Sequence, residues 1–228
     1  MGGPVPITTI LFDAGGTLVH PNFARIAGEL AAEGVAADPA ALARADARVR
    51  FEIDRADVIA ATNDGGRFRR YLDALAGAAG LARLPDPVFE RLDRYHRIHN
   101  LWEDVPAEVP RALERLRGRV RMGVISNSNG TVRAKLARVG LARYFEIVVD
   151  SHEEAIEKPD PRIFTLTLDR MGVAAAEAAY VGDLYHVDVV GASAAGLATF
   201  LLDPLDLYGA VPVRRLRSLA ELAAGQEA

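Results

Sequence analysis

The chain has 228 residues, of which 50% are hydrophobic and 25% are charged, and its mean hydropathy is near zero. This composition is that of an ordinary soluble globular protein, with length for one large domain or for one domain that carries an insertion. A formal net charge of −4 and a pI near 5.8 argue against a protein that binds nucleic acid or other polyanions.

The sequence contains no cysteine, which excludes disulfide bonds, thiolate metal sites and cysteine nucleophiles. No apolar run approaches the roughly 18 residues of a membrane-spanning helix, and the first residues lack the basic region of a signal peptide. We therefore expect a cytoplasmic protein with no nucleic-acid partner and no membrane partner.

The first element is an apolar, β-branched run within residues 7–19 that stops at an acid, Asp13. The run predicts a short buried strand, and the following pair, Gly15 and Gly16, predicts a sharp turn. In open α/β sheets, ligands bind at the carboxyl ends of strands, which is the position predicted for Asp13. An ordinary strand and turn, with Asp13 as the turn former, explains this stretch equally well.

Residues 19–102 have the pattern of helices and no convincing pattern of a strand. Asp38 and Pro39 have the character of an N-cap followed by a proline at the first helical position. The predicted helices cover residues 21–34, 39–58, 67–79 and 85–102, and residues 61–66 are a loop by composition.

Beyond residue 103, strands and helices alternate. The predicted strands cover residues 120–125, 145–149, 179–181 and 198–202, and the predicted helices cover residues 110–117, 132–139, 161–171 and 187–195. Residues 212–224 add a short strand and a last helix. This alternation predicts an α/β fold with a doubly wound, Rossmann-like parallel sheet.

The helical block therefore interrupts the α/β pattern after its first strand. We predict a core domain of residues 1–18 and 103–228 and a helical-bundle cap of residues 19–102. An insertion at this point lies over the carboxyl end of the first strand, which is the position of a lid. The oligomeric state stays open between a monomer and a homodimer.

Polar residues collect at four predicted strand ends, and each has an ordinary explanation as a turn, a helix cap or a solvated lysine. The four motifs read FDAGGTL at residues 12–18, VISN at 124–127, EKPDPRIF at 157–164, and VGD at 181–183 followed by Asp188. In this order and spacing they resemble the haloacid dehalogenase superfamily. The resemblance is strongest to its phosphatase-like members with a helical cap inserted after the first motif.

The resemblance implies that Asp13 is a nucleophile that forms an aspartyl-phosphate, which splits one difficult step into two. Ser126 would donate a hydrogen bond to the phosphoryl group, and Lys158 would supply a positive charge. Thr17 and Asn127 are further candidates for binding the substrate. The implied substrate is a small phosphorylated metabolite.

The resemblance also implies a Mg²⁺ site, because this ion prefers oxygen ligands and keeps several waters. The implied ligands are Asp13, the backbone carbonyl of Gly15 and Asp183. Asp188 would support the ion directly or through a water molecule. Lys158 would also keep these carboxylates ionised at neutral pH.

One position departs from the family pattern. The phosphatases carry a second aspartate two positions after the nucleophile, and Gly15 stands there in this chain. General acid–base catalysis is worth about 10²–10⁴-fold. Its loss should favour substrates whose leaving group needs little protonation, such as aryl or acyl phosphates.

Other branches of the superfamily also lack that aspartate. The phosphonate-cleaving branch uses a lysine of the cap, but the two lysines here, Lys135 and Lys158, lie outside the helical block. The 2-haloacid dehalogenases need no metal, and the apparent metal site argues against them. A catalytically weak phosphate-binding module is a third alternative.

Two further residues are candidates for contact with the substrate. His20 follows the first motif and has an ordinary pKa suited to acid–base chemistry. Arg67 follows the loop and could bind a carboxylate or a second phosphate, although a plain helix connection explains it equally well. His186 is expected to point to solvent. The remaining histidines are expected on the surface or on a helix face, namely His96, His99 and His152.

Overall fold

A computed structural model of the chain describes residues 5–224; residues 1–4 and 225–228, which the predicted core domain includes, lie outside that range. The centre of the fold is a six-stranded sheet in the order β5-β4-β1-β6-β7-β8, in which each pair of neighbours is parallel. Its strands are β1 (Thr9–Phe12), β4 (Arg121–Ser126), β5 (Ile147–Asp150), β6 (Ala178–Gly182), β7 (Ala198–Leu202) and β8 (Arg214–Leu216).

Helices cover both faces of this sheet because its strands are apolar on both sides. In β1, Ile10 and Phe12 belong to one hydrophobic cluster, and Leu11 belongs to the cluster on the opposite face. The helices of this part are α6 (Glu108–Leu116), α7 (Val132–Arg138), α8 (Ser151–Glu154), α9 (Pro161–Met171), α10 (Val190–Ala194) and α11 (Leu219–Ala224). The predicted doubly wound α/β fold is confirmed.

The helices of the predicted cap are α1 (Phe23–Ala31), α2 (Pro39–Ile53), α3 (Ala56–Ala61), α4 (Asp64–Ala76) and α5 (Asp86–His99). All of them except α3, which has no buried residue, pack around a third hydrophobic cluster of their own. As predicted, Asp38 caps α2, because its carboxylate accepts hydrogen bonds from the first backbone N–H groups of that helix. The separate cluster supports the division into core and cap, which stays a prediction.

The expectation of an uninterrupted helix over residues 39–58 is wrong. The helix ends at Ile53, and α3 starts at Ala56 after a break at Asp54. The Asp54 carboxylate instead accepts hydrogen bonds from the His186 backbone N–H and the Tyr208 hydroxyl. These contacts with the core hold Asp54 outside helical geometry.

The expectation that residues 19–102 contain no strand is also wrong. Two short antiparallel strands, β2 (His20–Pro21) and β3 (Trp102–Asp104), pair where the chain enters and leaves the helical cap. They are too short to show an alternating pattern, and one contains a proline. None of the helices in residues 5–224 is long and apolar enough to cross a membrane.

Candidate active site

Three buried aspartates meet at the carboxyl edge of the sheet. Asp13 follows β1 and Asp183 follows β6, and these two strands are parallel neighbours. Asp188 lies on a π-helical turn, Tyr185–Val189, which returns the chain to the end of β6. One carboxylate oxygen from each aspartate lies within 4.8 Å of the other two. The parallel topology therefore brings together residues that are distant in sequence.

Lys158 joins two of these aspartates. Its Nζ lies 2.6 Å from Asp13 Oδ1 and 2.7 Å from Asp188 Oδ1, and it is also 2.9 Å from the Tyr180 hydroxyl. The Asn127 side chain fixes the lysine backbone, because its amide donates to the Lys158 carbonyl and its oxygen accepts from the Lys158 N–H. Both polar atoms of Asn127 are thereby engaged in positioning Lys158, which does not favour its predicted direct contact with substrate.

The electrostatics of the site follow from burial and from charge crowding. Burial raises the pKa of Asp13 to about 7, opposed by Lys158 and reinforced by the other two aspartates. Burial likewise raises the pKa of Asp183 to about 6, although the Arg50 guanidinium opposes this. Burial by itself would lower the pKa of Lys158. The negative charges of Asp13 and Asp188 have the larger effect and raise the pKa of the ammonium above its ordinary value.

Arg50, a residue of cap helix α2, reaches into this cluster. Its guanidinium forms an ion pair with Asp183 and a second one with Asp46, at 3.1 Å, one turn earlier in the same helix. The Thr17 hydroxyl donates to the other oxygen of Asp183, at 3.3 Å. Thr17 therefore contacts a predicted metal ligand. No sequence pattern indicates that Arg50 reaches the site, because the position of Arg50 depends on how the cap packs on the core.

A cavity of about 130 Å³ opens between the aspartates and the cap. The predicted residue Ser126, at the end of β4, lines it on the core side. Gly15 lines it as well, facing the indole ring of Trp102. A Cβ atom added at Gly15 would lie 3.2 Å from Trp102 Cδ1 and 3.3 Å from Trp102 Nε1. The space next to Gly15 is thus largely taken by Trp102.

Cap residues form the opposite wall of the cavity. His96 lies on a face of helix α5, which is one of the two expected positions, and its ring stacks on Phe68 with a centroid separation of 4.4 Å and lines the cavity. Burial lowers the pKa of His96 to about 4, so the ring is neutral at physiological pH. Arg67 also lines the cavity, and its guanidinium contacts the Thr62 carbonyl and the Glu157 carboxylate.

The structure does not bring His20 to this cavity. His20 Nδ1 lies 3.1 Å from Asp46 Oδ2, and the ring lines a separate hollow beside β2 and β3. His20 is not among the residues that line the cavity with Asp13, so the predicted contact of His20 with substrate is not supported. His186 is one-third exposed, and its Nδ1 lies 2.8 Å from the Asp54 carbonyl.

The residues of the cluster fit a divalent cation. The three carboxylates form ion pairs with only two cations, Lys158 and Arg50, and Arg50 is shared with Asp46. Oxygen donors are also the ligands that Mg²⁺ prefers. Asp188 is the least available of the three, since its Oδ2 accepts hydrogen bonds from the backbone N–H groups of Asp183 and Leu184. This favours a role for Asp188 in orienting the site.

Comparison with known proteins places this geometry in a family. A model of the haloacid dehalogenase-like hydrolases matches residues 7–196, which include the three aspartates and Lys158. The chain belongs to this family. Membership confirms the resemblance seen in the sequence and identifies the protein as a hydrolase of the haloacid dehalogenase superfamily.

Relatives within the haloacid dehalogenase superfamily include phosphatases. The chain is 34% identical over 155 residues to a phosphoserine phosphatase of Thermus thermophilus, a match that covers 68% of this chain and 61% of that protein. It is 31% identical over 137 residues to a glyceraldehyde 3-phosphate phosphatase of Methanopyrus kandleri, covering 59% of each. The chain thus spans less than two thirds of the length of these relatives.

Solved structures of the superfamily share the fold across the whole chain. The magnesium-bound hydrolase YfnB of Bacillus subtilis is 18% identical with a TM-score of 0.73, and the match covers 98% of this chain and 100% of that one. The L-2-haloacid dehalogenase of Xanthobacter autotrophicus is 19% identical with a TM-score of 0.64, covering 96% and 97%. Both likenesses confirm the fold.

Proposed function

We propose that the chain is a Mg²⁺-dependent phosphatase that hydrolyses a small phosphorylated metabolite through an aspartyl-phosphate on Asp13. The observation that carries the proposal is the position of Lys158, which holds Asp13 and Asp188 beside Asp183 at the sheet edge. The phosphatase names of its relatives support the same reaction class.

In the proposed reaction, Asp13 attacks phosphorus. Its Oδ1 accepts the hydrogen bond from Lys158, and no described residue donates a hydrogen bond to its Oδ2, which leaves the lone pairs of that oxygen available for the attack. Attack by this oxygen forms the acyl phosphate and breaks the bond from phosphorus to the leaving oxygen, which departs as an anion and takes a proton from water. A water molecule then attacks phosphorus, which releases phosphate and restores the carboxylate.

The surrounding residues stabilise the charge of the phosphoryl group. Lys158 supplies a fixed positive charge. The Ser126 hydroxyl lines the cavity and donates to the Asn127 carbonyl at 3.3 Å; on substrate binding it would turn to donate to the phosphoryl group. A Mg²⁺ ion held by Asp13, the Gly15 carbonyl and Asp183 would neutralise further phosphoryl charge. Since Gly15 provides no acid for the leaving oxygen, aryl and acyl phosphates are the favoured substrates.

The test is hydrolysis of p-nitrophenyl phosphate, with Mg²⁺ and with a chelator. We expect Mg²⁺-dependent turnover, and a decrease of at least about 10³-fold in Asp13→Asn, which lacks the nucleophile. Mass spectrometry of the acid-quenched native enzyme should detect one added phosphoryl group. Asp169→Asn, at an exposed position of α9, is the matched control and should retain turnover.

Two other outcomes would replace this proposal. Release of halide from a 2-haloacid without metal would assign the chain to the dehalogenases. Binding of phosphate together with Mg²⁺, but without turnover of any phosphate ester, would make it a binding module.

A further inference from the structure

A second lysine lines the active-site cavity. Lys135 lies on α7, the helix that follows the Ser126 loop, and its side chain is 2% exposed. The proposed reaction uses Asp13, Ser126 and Lys158 and leaves Lys135 without a role. The sequence motifs assign Lys135 no function; they show only that it lies outside the predicted cap.

Lys135 differs from the other cations of the cavity. Arg50, Arg67 and Lys158 each form an ion pair with a carboxylate. Lys135 forms neither a hydrogen bond nor an ion pair with any residue in the range 5–224. An ammonium group that is buried without a partner destabilises a fold, and an aliphatic side chain would pack there at lower free energy. Stability therefore does not explain the presence of a lysine.

The electrostatic neighbours of Lys135 locate its charge within the cavity. Burial lowers the pKa of the ammonium to about 8, opposed chiefly by the negative charge of Asp13. On the cap side, the charge of Lys135 adds to burial in lowering the pKa of His96. The ammonium therefore acts on both the nucleophile and the cap wall, which is the space where the organic part of a substrate would lie.

We propose that Lys135 binds a carboxylate of the substrate, so that among phosphate esters with similar leaving groups the enzyme prefers those that carry a carboxylate. The inference rests on the proposed phosphatase function. Lys158, Ser126 and the metal site already serve the phosphoryl group, so Lys135 offers positive charge for a second anionic group. The cavity that Lys135 lines, of about 130 Å³, has the size for a small substrate.

The test uses two phosphate esters that differ in one group. 3-Phosphoglycerate carries a carboxylate where glycerol 3-phosphate carries a hydroxymethyl group. We expect the native enzyme to have the higher kcat/KM for 3-phosphoglycerate. In Lys135→Gln, the ratio of the two kcat/KM values should fall roughly 10- to 100-fold, mainly through KM, because a charged hydrogen bond is lost.

Two variants control for charge. Lys135→Arg keeps the cation and should retain most of the preference for 3-phosphoglycerate. Arg133→Gln removes a positive charge from the exposed side of the same helix and should leave the ratio unchanged. An unchanged ratio in Lys135→Gln would overturn the proposal.

A binding measurement separates this proposal from the proposed function. Calorimetry with Asp13→Asn and with Asp13→Asn/Lys135→Gln compares the two esters without turnover. Tighter binding of 3-phosphoglycerate that depends on Lys135 supports the inference even if no ester is hydrolysed, in which case only the phosphatase function fails. Equal binding of the two esters by Asp13→Asn overturns the inference, whatever the activity.

A stability measurement excludes a merely structural lysine. We expect Lys135→Met to raise the melting temperature of the ligand-free protein, because it replaces a buried unpaired charge with an apolar chain of similar length. A lower melting temperature together with an unchanged substrate ratio would assign Lys135 a structural role and overturn the proposal.

Discussion

The indole ring of Trp102 lies where a side chain at position 15 would extend. In the phosphatases that the sequence resembles, that position carries the aspartate that protonates the leaving group. In this chain glycine stands at that position, and the adjacent space is occupied by Trp102 of β3. Restoring the acid therefore requires a change at both positions.

We expect Gly15→Asp alone to give no gain in activity, because its Cβ would approach Trp102 Cδ1 to 3.2 Å. In Gly15→Asp/Trp102→Phe the smaller ring makes room for the carboxyl group. This double variant should raise kcat/KM for phenyl phosphate, a poor leaving group, by at least about tenfold relative to Trp102→Phe, a modest part of what general acids supply. The gain for p-nitrophenyl phosphate should be smaller.

Gly15→Asn/Trp102→Phe is the matched control, since it has nearly the same shape but no acid. Equal activity of the Asp and Asn double variants on phenyl phosphate would show that position 15 cannot supply the proton.

The sequence predicts the position of a site residue when that residue stands at the end of a strand. Asp13, Ser126 and Asp183 each follow a short apolar strand, and parallel strands place their carboxyl ends along one edge. Arg50 and Lys135 could not be predicted in this way. Both lie on helices, and the direction of a helical side chain toward the site depends on how that helix packs in the folded molecule.

Helix α2 carries an ion network at the interface between cap and core. Asp46 accepts hydrogen bonds from Arg50 and from the Tyr71 hydroxyl, and His20 lies beside it. Burial alone would raise the pKa of Asp46, but Arg50 and His20 outweigh burial and lower it to about 2. The ionised carboxylate is therefore stabilised in the folded protein.

We expect Asp46→Asn to lower the free energy of unfolding by about 2 kcal/mol, the equivalent of the decrease in pKa. For a chain of this length the melting temperature should fall by roughly 4–8 °C. Because the pKa in the folded state is depressed, the stabilisation is fully present above the ordinary value of 3.8 and is lost as the pH falls toward 2. Thermal unfolding at neutral pH measures it.

Asp57→Asn is the control for this experiment, because Asp57 is exposed and pairs only with Arg55 at the surface. It should leave the melting temperature nearly unchanged. Equal decreases in melting temperature for the two substitutions would show that the Asp46 network does not stabilise the folded protein as proposed.

At the scale of elements, the errors of the sequence analysis share a cause. The pattern of residues 39–58 is helical throughout, yet contacts of Asp54 with His186 and Tyr208 break the helix. The strands β2 and β3 exist because the chain enters and leaves the cap side by side. Both features depend on contacts between distant parts of the chain, which local patterns do not contain.

For the whole molecule, the raised pKa values of Asp13 and Asp183 make stability depend on pH and on metal. Between the ordinary value of 3.8 and the folded values of about 7 and about 6, the folded protein binds more protons than the unfolded chain. The free energy of unfolding therefore falls as the pH rises through this range. Burial of the two carboxylates, reinforced by the negative charge of the neighbouring aspartates, is the physical cause.

We expect the melting temperature in a chelator to fall between about pH 5.5 and about pH 8. Mg²⁺ should raise it, and more at the higher pH, because the metal binds the ionised carboxylates. Asp183→Asn should lose most of the Mg²⁺ effect and flatten the dependence on pH. Parallel curves with and without Mg²⁺ would contradict a metal site at these aspartates.

The ion pair between Arg50 and Asp183 joins the cap to the carboxyl edge of the sheet. A metal ion bound at Asp183 would use the carboxylate that pairs with Arg50 of the cap, so the free energies of metal binding and cap closure would be coupled. Such coupling is reciprocal: cap closure weakens metal binding by the same factor by which a bound metal weakens cap closure. We expect a metal-loaded molecule to open its cap more often between turnovers, and a metal-free molecule to stay shut for longer.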